Sequence, residues 1–261
     1  MTRIGAEVCL RFSIRRDPRN QSCKDFDRPR HLVFGYTRMM MASLLVNPAP
    51  TRILVVGLGG GSLPEALALL YPDAQMDLIE IDPAVVRVAT RFFEFRPTPN
   101  MHIHEVDARV FTKRAGRSDA RYDLILLDAF NGDYIPEHLM TQEYLEETRA
   151  LLAPGGVVAA NTFAISDLYD HESVTYEVVF GQFFNFEMPD SANRVVIARA
   201  GALPSKQELV ARAATLAPAL AEFGVPLQAY PRRLSRERNW NTGARVLTDQ
   251  YAPANLLNTV R

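Results

Sequence analysis

Two acids and a cluster of glycines stand where apolar runs end. Glu80 closes Met76-Asp-Leu-Ile-Glu80, Asp128 closes Tyr122-Asp-Leu-Ile-Leu-Leu-Asp128, and the glycines follow Arg52-Ile-Leu-Val-Val in Gly57-Leu-Gly59-Gly60-Gly61-Ser62-Leu-Pro64. Open α/β sheets bind ligands at the carboxyl ends of their strands, so groups placed there can touch a substrate. The glycines at 57, 59, 60 and 61 allow backbone angles that a Cβ forbids and let a ligand approach the main chain closely. Ser62 can cap the helix that follows, and Pro64 suits its first turn. Glu80, one helix length further on, is placed to accept hydrogen bonds from both hydroxyls of a ribose. Together these features predict a nucleotide-binding βαβ unit and an adenosine-containing cofactor. Asp128 is placed to orient a cation or to accept a proton. The structural alternatives are a tight turn at the glycines, a solvated carboxylate at Glu80 and a helix cap or loop turn at Asp128.

The elements that must position these residues follow from hydrophobic patterning. Alternation from Glu7 to Ile14, a turn near Pro18 and a return through Leu32-Val-Phe34 predict a small β extension. A helix over 36–46, rich in Met and Leu, packs on the main sheet. Next come a helix over 83–93, strands over 101–105 and 122–128, a helix over 143–152, and a Pro154-Gly155-Gly156 turn into a strand over 157–161. Segments 183–188 and 193–199, split by Pro189-Asp-Ser-Ala192, predict an antiparallel hairpin, and a helix over 205–223 precedes a Pro- and Arg-rich tail. The expected organisation is an extension and linking helix over 1–48, a Rossmann-like cofactor-binding domain over 49–200, and a helix and tail over 201–261 packed on it.

Composition narrows the function classes. A formal net charge of -1 over 261 residues gives no global attraction to nucleic acid or to an anionic membrane surface. No run approaches the roughly 20 apolar residues that a membrane helix needs. Cys9 and Cys23 lack metal-ligand spacing. The reading is therefore a cytoplasmic protein with no metal, with a Cys9–Cys23 bridge across an N-terminal hairpin as the minor alternative. His138 is either a proton carrier or a surface histidine. Asp167, Asp170 and Glu172 either line a channel for a cation or form a solvated loop.

The strand endings Gly57, Glu80, Asp107 and Asp128, with the Pro154-Gly-Gly turn before a closing hairpin, resemble the class I S-adenosylmethionine-dependent methyltransferase fold. That resemblance implies a mostly parallel seven-stranded sheet ending in an antiparallel hairpin. Within the fold, Val55-Val-Gly-Leu-Gly-Gly-Gly-Ser62, Ile79-Glu-Ile-Asp-Pro83, Asp107-Ala-Arg-Val-Phe111, Ile135-Pro-Glu-His-Leu-Met-Thr141 and Val246-Leu-Thr-Asp-Gln-Tyr-Ala-Pro253 resemble the polyamine aminopropyltransferases, or spermidine synthases, and their bacterial spermidine synthase-like branch.

The resemblance implies transfer of an aminopropyl group from decarboxylated S-adenosylmethionine to a polyamine or related amine. Glu80 would hold the ribose, Asp107 and Ala108 the adenine, and Asp128 the transferred group, with Tyr36 and Asn131 near the substrate, in a homodimer. Two positions depart from the family pattern: Ser62 replaces an aspartate after the third glycine, and Asn131 replaces a second aspartate in the loop after Asp128. Asp133 is expected to take over the latter role. Ser62 removes a charge that would repel the carboxylate of ordinary S-adenosylmethionine. A methyltransferase using that co-substrate, or a non-catalytic nucleotide-binding homologue, is therefore the alternative.

Overall fold

The computed structural model describes residues 1–11, 20–130, 134–189 and 191–253. Strands β1 (Thr2–Ile4), β2 (Glu7–Leu10) and β3 (Ser22–Asp25) form an antiparallel sheet of their own. Helix α1 (Gly35–Met40) and a 3₁₀ turn (Met41–Leu45) then bury Met39, Met40 and Met41 in the core, as the methionine run predicts.

The main sheet is built from β4 (Arg52–Val56), β5 (Gln75–Glu80), β6 (Met101–Glu105), β7 (Tyr122–Leu127), β8 (Leu152–Phe163), β9 (Phe184–Glu187), β10 (Asn193–Arg199) and β11 (Leu234–Ser235), in the spatial order β11-β9-β10-β8-β7-β4-β5-β6. From β6 to β8 the pairing is parallel, and the β9–β10 hairpin adds to β8 antiparallel. This is the class I methyltransferase arrangement, with one strand more than the seven expected. The extra strand is the two-residue β11, which pairs with β9 at the edge. An element that short has no period of its own to read.

Helices α2 (Ser62–Leu70), α3 (Pro83–Phe92), α4 (Ala108–Arg117), α5 (Gln142–Ala150), α6 (Tyr169–Phe180) and α7 (Lys206–Leu220) cover the sheet on both faces. Two of them escape sequence reading. In α4, Arg109 and Thr112 are buried where an amphipathic pattern would place apolar side chains. In α6 the buried positions include Glu172, Ser173 and Thr175, so no apolar stripe marks the helix. The expected turn at Pro154-Gly155-Gly156 lies instead inside β8, where the register against β7 jumps from Tyr122↔Leu152 to Leu124↔Val157. A Cβ on Gly156 would sit 2.7 Å from the Tyr122 carbonyl oxygen, so a bulge that brings the backbones this close needs glycine there.

The thiols correct the sequence reading. Cys9 and Cys23 form a disulfide, because the β2–β3 register places them directly opposite one another with Cα atoms 4.1 Å apart. The bridge removes the argument from free thiols to a reducing compartment. It also occupies both sulfurs of the one group of three candidate metal ligands among the described residues, Glu7, Cys9 and Cys23. Closing a loop of about 15 residues is worth about 3 kcal/mol in the chain-entropy account. Reduction with dithiothreitol is therefore expected to lower the midpoint of urea unfolding, and the Cys9→Ser variant to match the reduced protein. An unchanged midpoint would mean that the hairpin is held by its other contacts. No helix among the described residues is long and apolar enough to cross a membrane.

Candidate active site

The order of β5, β4, β7 and β8 fixes where the chemistry lies. The chain steps outward from β4 through β5 to β6, then returns to place β7 on the other side of β4. The crevice beyond the carboxyl ends of β4 and β7 is the switch point at which such sheets bind ligands. Gly57 and Asp128 are the residues that follow these two strands. Gly57, at φ 95°, approaches Asp128 so closely that a Cβ would lie 2.3 Å from the Asp128 carbonyl oxygen. A side chain at 57 would push the two strand ends apart.

A cavity of about 430 Å³ opens here. Its wall includes Gly57, Gly59, Ser62, Glu80, Asp107 and Ala108, the greater part of the predicted cofactor set. Gly60 and Gly61 stand behind the wall. Their Cβ positions are taken by Phe93 at 2.6 Å and Phe95 at 2.4 Å, and the Gly60 N–H donates to Ser22 Oγ at 3.0 Å. These two glycines are required by the protein's own packing. The helix cap is also displaced by one residue: Gly61, at φ 82°, is the N-cap of α2, and Ser62 is its first helical residue, facing the cavity.

Glu80 is fixed by two backbone donors, Leu58 N–H at 3.2 Å and Asp82 N–H at 3.0 Å. Burial raises its pKa, and these N–H groups offset only part of that rise. Each oxygen keeps a lone pair for a ligand hydroxyl. The next residue, Ile81, is a large apolar side chain left 65% exposed on the cavity wall, placed to cover a flat ring. Asp107 caps α4 through Val110 N–H at 3.0 Å and takes a second bond from His138 Nε2 at 2.8 Å. Burial would raise its pKa, but the Val110 and His138 bonds outweigh it and hold the carboxyl below its ordinary range. His138 is thus a cavity residue bound to an acid, which its position in a loop sequence does not reveal.

Asp128 is packed within the fold and open to the cavity. Burial pushes its pKa up to about 7, against the opposing hydrogen bonds from Asn161 and Tyr36. The Asn161 amide donates to Asp128 Oδ1 at 2.8 Å, and Asn193 Nδ2 donates in turn to Asn161 Oδ1 at 3.0 Å. Burial and the neighbouring Asp128 raise the Tyr36 hydroxyl far above its usual range, so it stays a donor. Phe130 and Phe163, edge to face with centroids 5.4 Å apart, line the cavity beyond Asp128. Sequence patterning does not reveal Asn161, Asn193 and Phe163 as site residues, because only the β8–β10 register brings them to this edge. Among the described residues the lining holds three carboxylates, Glu80, Asp107 and Asp128, and no Lys or Arg. The charge on these residues favours a cation over an anion.

Asn131 and Asp133 lie outside the described residues. The acidic stretch does not line the cavity: Asp170 accepts from Asn241 N–H at 3.1 Å, and Glu172 is buried against Arg194 at 2.9 Å. A helix buries Glu172 where sequence reading expects either a channel or a solvated loop. The quoted motifs converge elsewhere. Arg109, from the Asp107-Ala-Arg segment, binds Glu147 at 3.0 Å and Asp249 of the late Thr-Asp-Gln-Tyr segment at 2.6 Å, and Thr141 Oγ1 donates to Asp249 at 2.8 Å. The tail is thus tied beneath the loop that carries His138.

Residues 33–196 match the Spermine/spermidine synthase domain. A polyamine aminopropyltransferase of Vibrio vulnificus is 52% identical over 251 residues, spanning 95% of this chain and 84% of that protein. The chain belongs to the spermine/spermidine synthase family. A human eEF1A lysine and N-terminal methyltransferase is 30% identical over 236 residues, 84% of this chain but 31% of that longer protein. Among solved structures, a probable spermidine synthase from Corynebacterium glutamicum superposes with a TM-score of 0.65 at 21% identity, covering 87% of this chain and 88% of the other. That likeness supports the fold.

Proposed function

We propose that this chain transfers an aminopropyl group from decarboxylated S-adenosylmethionine to a polyamine or a related amine. The reading is carried by Asp128, held by Tyr36 and Asn161 at the switch point of a cavity whose described lining offers carboxylates and no Lys or Arg. Glu80 and the backbone from Gly57 to Gly59 suit the ribose side of an adenosyl group, and Ile81 with Ala108 suits its flat ring. In the reaction, a neutral amine nitrogen forms a bond to the carbon beside the sulfonium sulfur. The carbon–sulfur bond breaks, and methylthioadenosine leaves uncharged. The attacking nitrogen then loses a proton, which Asp128 takes directly or through water. A base whose pKa lies near 7 suits that step at neutral pH. Asp133 is assigned a supporting role on the amine side.

Ser62 favours a second reading, methyl transfer from ordinary S-adenosylmethionine, because no acid stands there to repel the co-substrate carboxylate. Product analysis by mass spectrometry separates the two: methylthioadenosine accompanies aminopropyl transfer, and S-adenosylhomocysteine accompanies methyl transfer. Methylthioadenosine is expected with diamine acceptors. Binding of the nucleoside with neither product would favour a non-catalytic homologue. A homodimer in the cytoplasm belongs to the proposal, and light scattering of the purified protein tests the dimer.

A further inference from the structure

We propose that Asn161 and Asn193 act as a one-way hydrogen-bonded pair that favours the ionised, proton-accepting form of Asp128 against its burial, which makes both of them positioning residues for the transfer step. The inference rests on the reading of Asp128 as the proton acceptor. It starts from donor and acceptor arithmetic. An ionised carboxylate only accepts, whereas an amide side chain offers either its NH₂ or its oxygen, depending on which way it is turned. Asn161 lies 2.8 Å from Asp128 Oδ1 and is only 3% exposed, so water does not compete for its amide. Turned by half a rotation, Asn161 would bring its own oxygen against the carboxylate.

Asn193 makes that alternative harder to reach. Its Nδ2 lies 3.0 Å from Asn161 Oδ1, so the Asn161 oxygen is claimed and its NH₂ faces Asp128, and reversing the order requires both amides to turn together. The strand register explains why this pairing exists. In the antiparallel β8–β10 pair, Asn161 is opposite Val195 and Asn193 is opposite Phe163, so the two asparagines are diagonal neighbours on the cavity face. The intervening residues, Thr162 and Arg194, pair on the other face, where Arg194 is 0% exposed. Its guanidinium binds Thr162 Oγ1 at 2.9 Å, Ser173 Oγ at 2.6 Å and Glu172 at 2.9 Å, and lies 4.0 Å from the centre of the Tyr169 ring. That clamp fixes β10 against β8 one residue away from the amide pair. The groups that titrate around Asp128 are the Tyr36 hydroxyl, which bonds it from α1, and Glu80, Asp107 and His138, which share the cavity from the ends of β5 and β6 and from the loop before α5. Among these, Tyr36 stays protonated and Glu80 and Asp107 are held by backbone donors.

The test uses Asn193→Ala, with Asn193→Gln as the variant that keeps a donor. The Asp128 carboxyl is titrated by carbon NMR in protein labelled at aspartate, and its resonance is assigned by its loss in Asp128→Asn. In Asn193→Ala the Asn161 amide is no longer held with its NH₂ toward Asp128, and the Asp128 titration is expected to move upward by about one pH unit, the scale of one hydrogen bond to a charged group. The acidic limb of kcat/KM is expected to move with it, giving about a tenfold loss below the limb while the high-pH plateau is retained. Asn193→Gln should restore both. An unmoved titration in Asn193→Ala, or a uniform loss of kcat/KM at every pH, would overturn the proposal. A moved titration in a protein that yields no transfer product would keep the amide pair and sink the transferase reading. Thermal melting confirms that each variant is folded, and Asn193→Ser replaces any that is not.

Discussion

Asp128→Asn is expected to reduce turnover by about 10²- to 10⁴-fold, the range typical of a lost general base, while making the protein more stable above neutral pH. Asparagine keeps the shape and an oxygen to accept the Asn161 hydrogen bond, so the packing at the switch point survives. What disappears is the group that takes the proton. Stability moves the other way because of burial. The Asp128 pKa is raised from its ordinary 3.8 to about 7, so the folded protein binds this proton more tightly than the unfolded chain does. The stabilisation that this difference supplies is complete below about pH 4 and is lost as pH rises through 7. Above pH 7 the wild type carries a partly desolvated charge that asparagine lacks.

Each unit of pKa difference is worth about 1.4 kcal/mol, and water in the open cavity screens part of it, so a gain of about 1–3 kcal/mol is expected. Urea unfolding at pH 4 and pH 8 checks the sign: the two proteins should be equal at the lower pH and separate at the higher. The same titration predicts that wild-type kcat/KM falls as pH drops through about 7. Retained turnover in Asp128→Asn, or a stability difference that does not change with pH, would remove Asp128 from its assigned role. A site residue whose removal stabilises the fold is one that the fold alone would not select.

How much of this site was legible in the sequence depends on how far each residue's position relies on pairing. Glu80 and Asp128 close strands whose apolar runs are local, so their placement at one sheet edge could be read directly. The amides at 161 and 193 could not. Each is an ordinary polar residue in or at the end of a strand, and only the antiparallel register of β8 and β10 makes them neighbours. Cys9 and Cys23 are an intermediate case: a bridge across an N-terminal hairpin is legible as an alternative, but only the register decides it. Helices α4 and α6 bury arginine, threonine, serine and glutamate, so periodicity in apolar residues passes over them. The glycine cluster was legible as a turn, yet its division of labour was not. Which glycines face a ligand and which face Phe93 and Phe95 depends on how α3 and the chain after it pack behind the loop.

Ser62→Asp is expected to impose on this protein a preference that its wild-type sequence relaxes. Ser62 is the first residue of α2 and lies on the cavity wall, where backbone N–H groups at a helix start favour an anion. Ordinary and decarboxylated S-adenosylmethionine differ by one carboxylate, so a charge beside that group is the most direct way to tell them apart. Two like charges about 4 Å apart at an effective dielectric near 20 repel by about 4 kcal/mol, a factor of about 10³ in affinity. Glu65, the acid one turn further along α2, does not supply this repulsion in the wild type, because it is engaged by Lys24 at 2.9 Å and is absent from the cavity wall. Calorimetry on the wild type should therefore show the two co-substrates binding within about tenfold of one another, whereas Ser62→Asp should bind the ordinary form at least about 10²-fold more weakly and the decarboxylated form as well or better. Strong rejection of the ordinary form by the wild type would mean that another group already reads the carboxylate. An unaltered ratio in Ser62→Asp would mean that the amino-acid end of the co-substrate does not reach the start of α2.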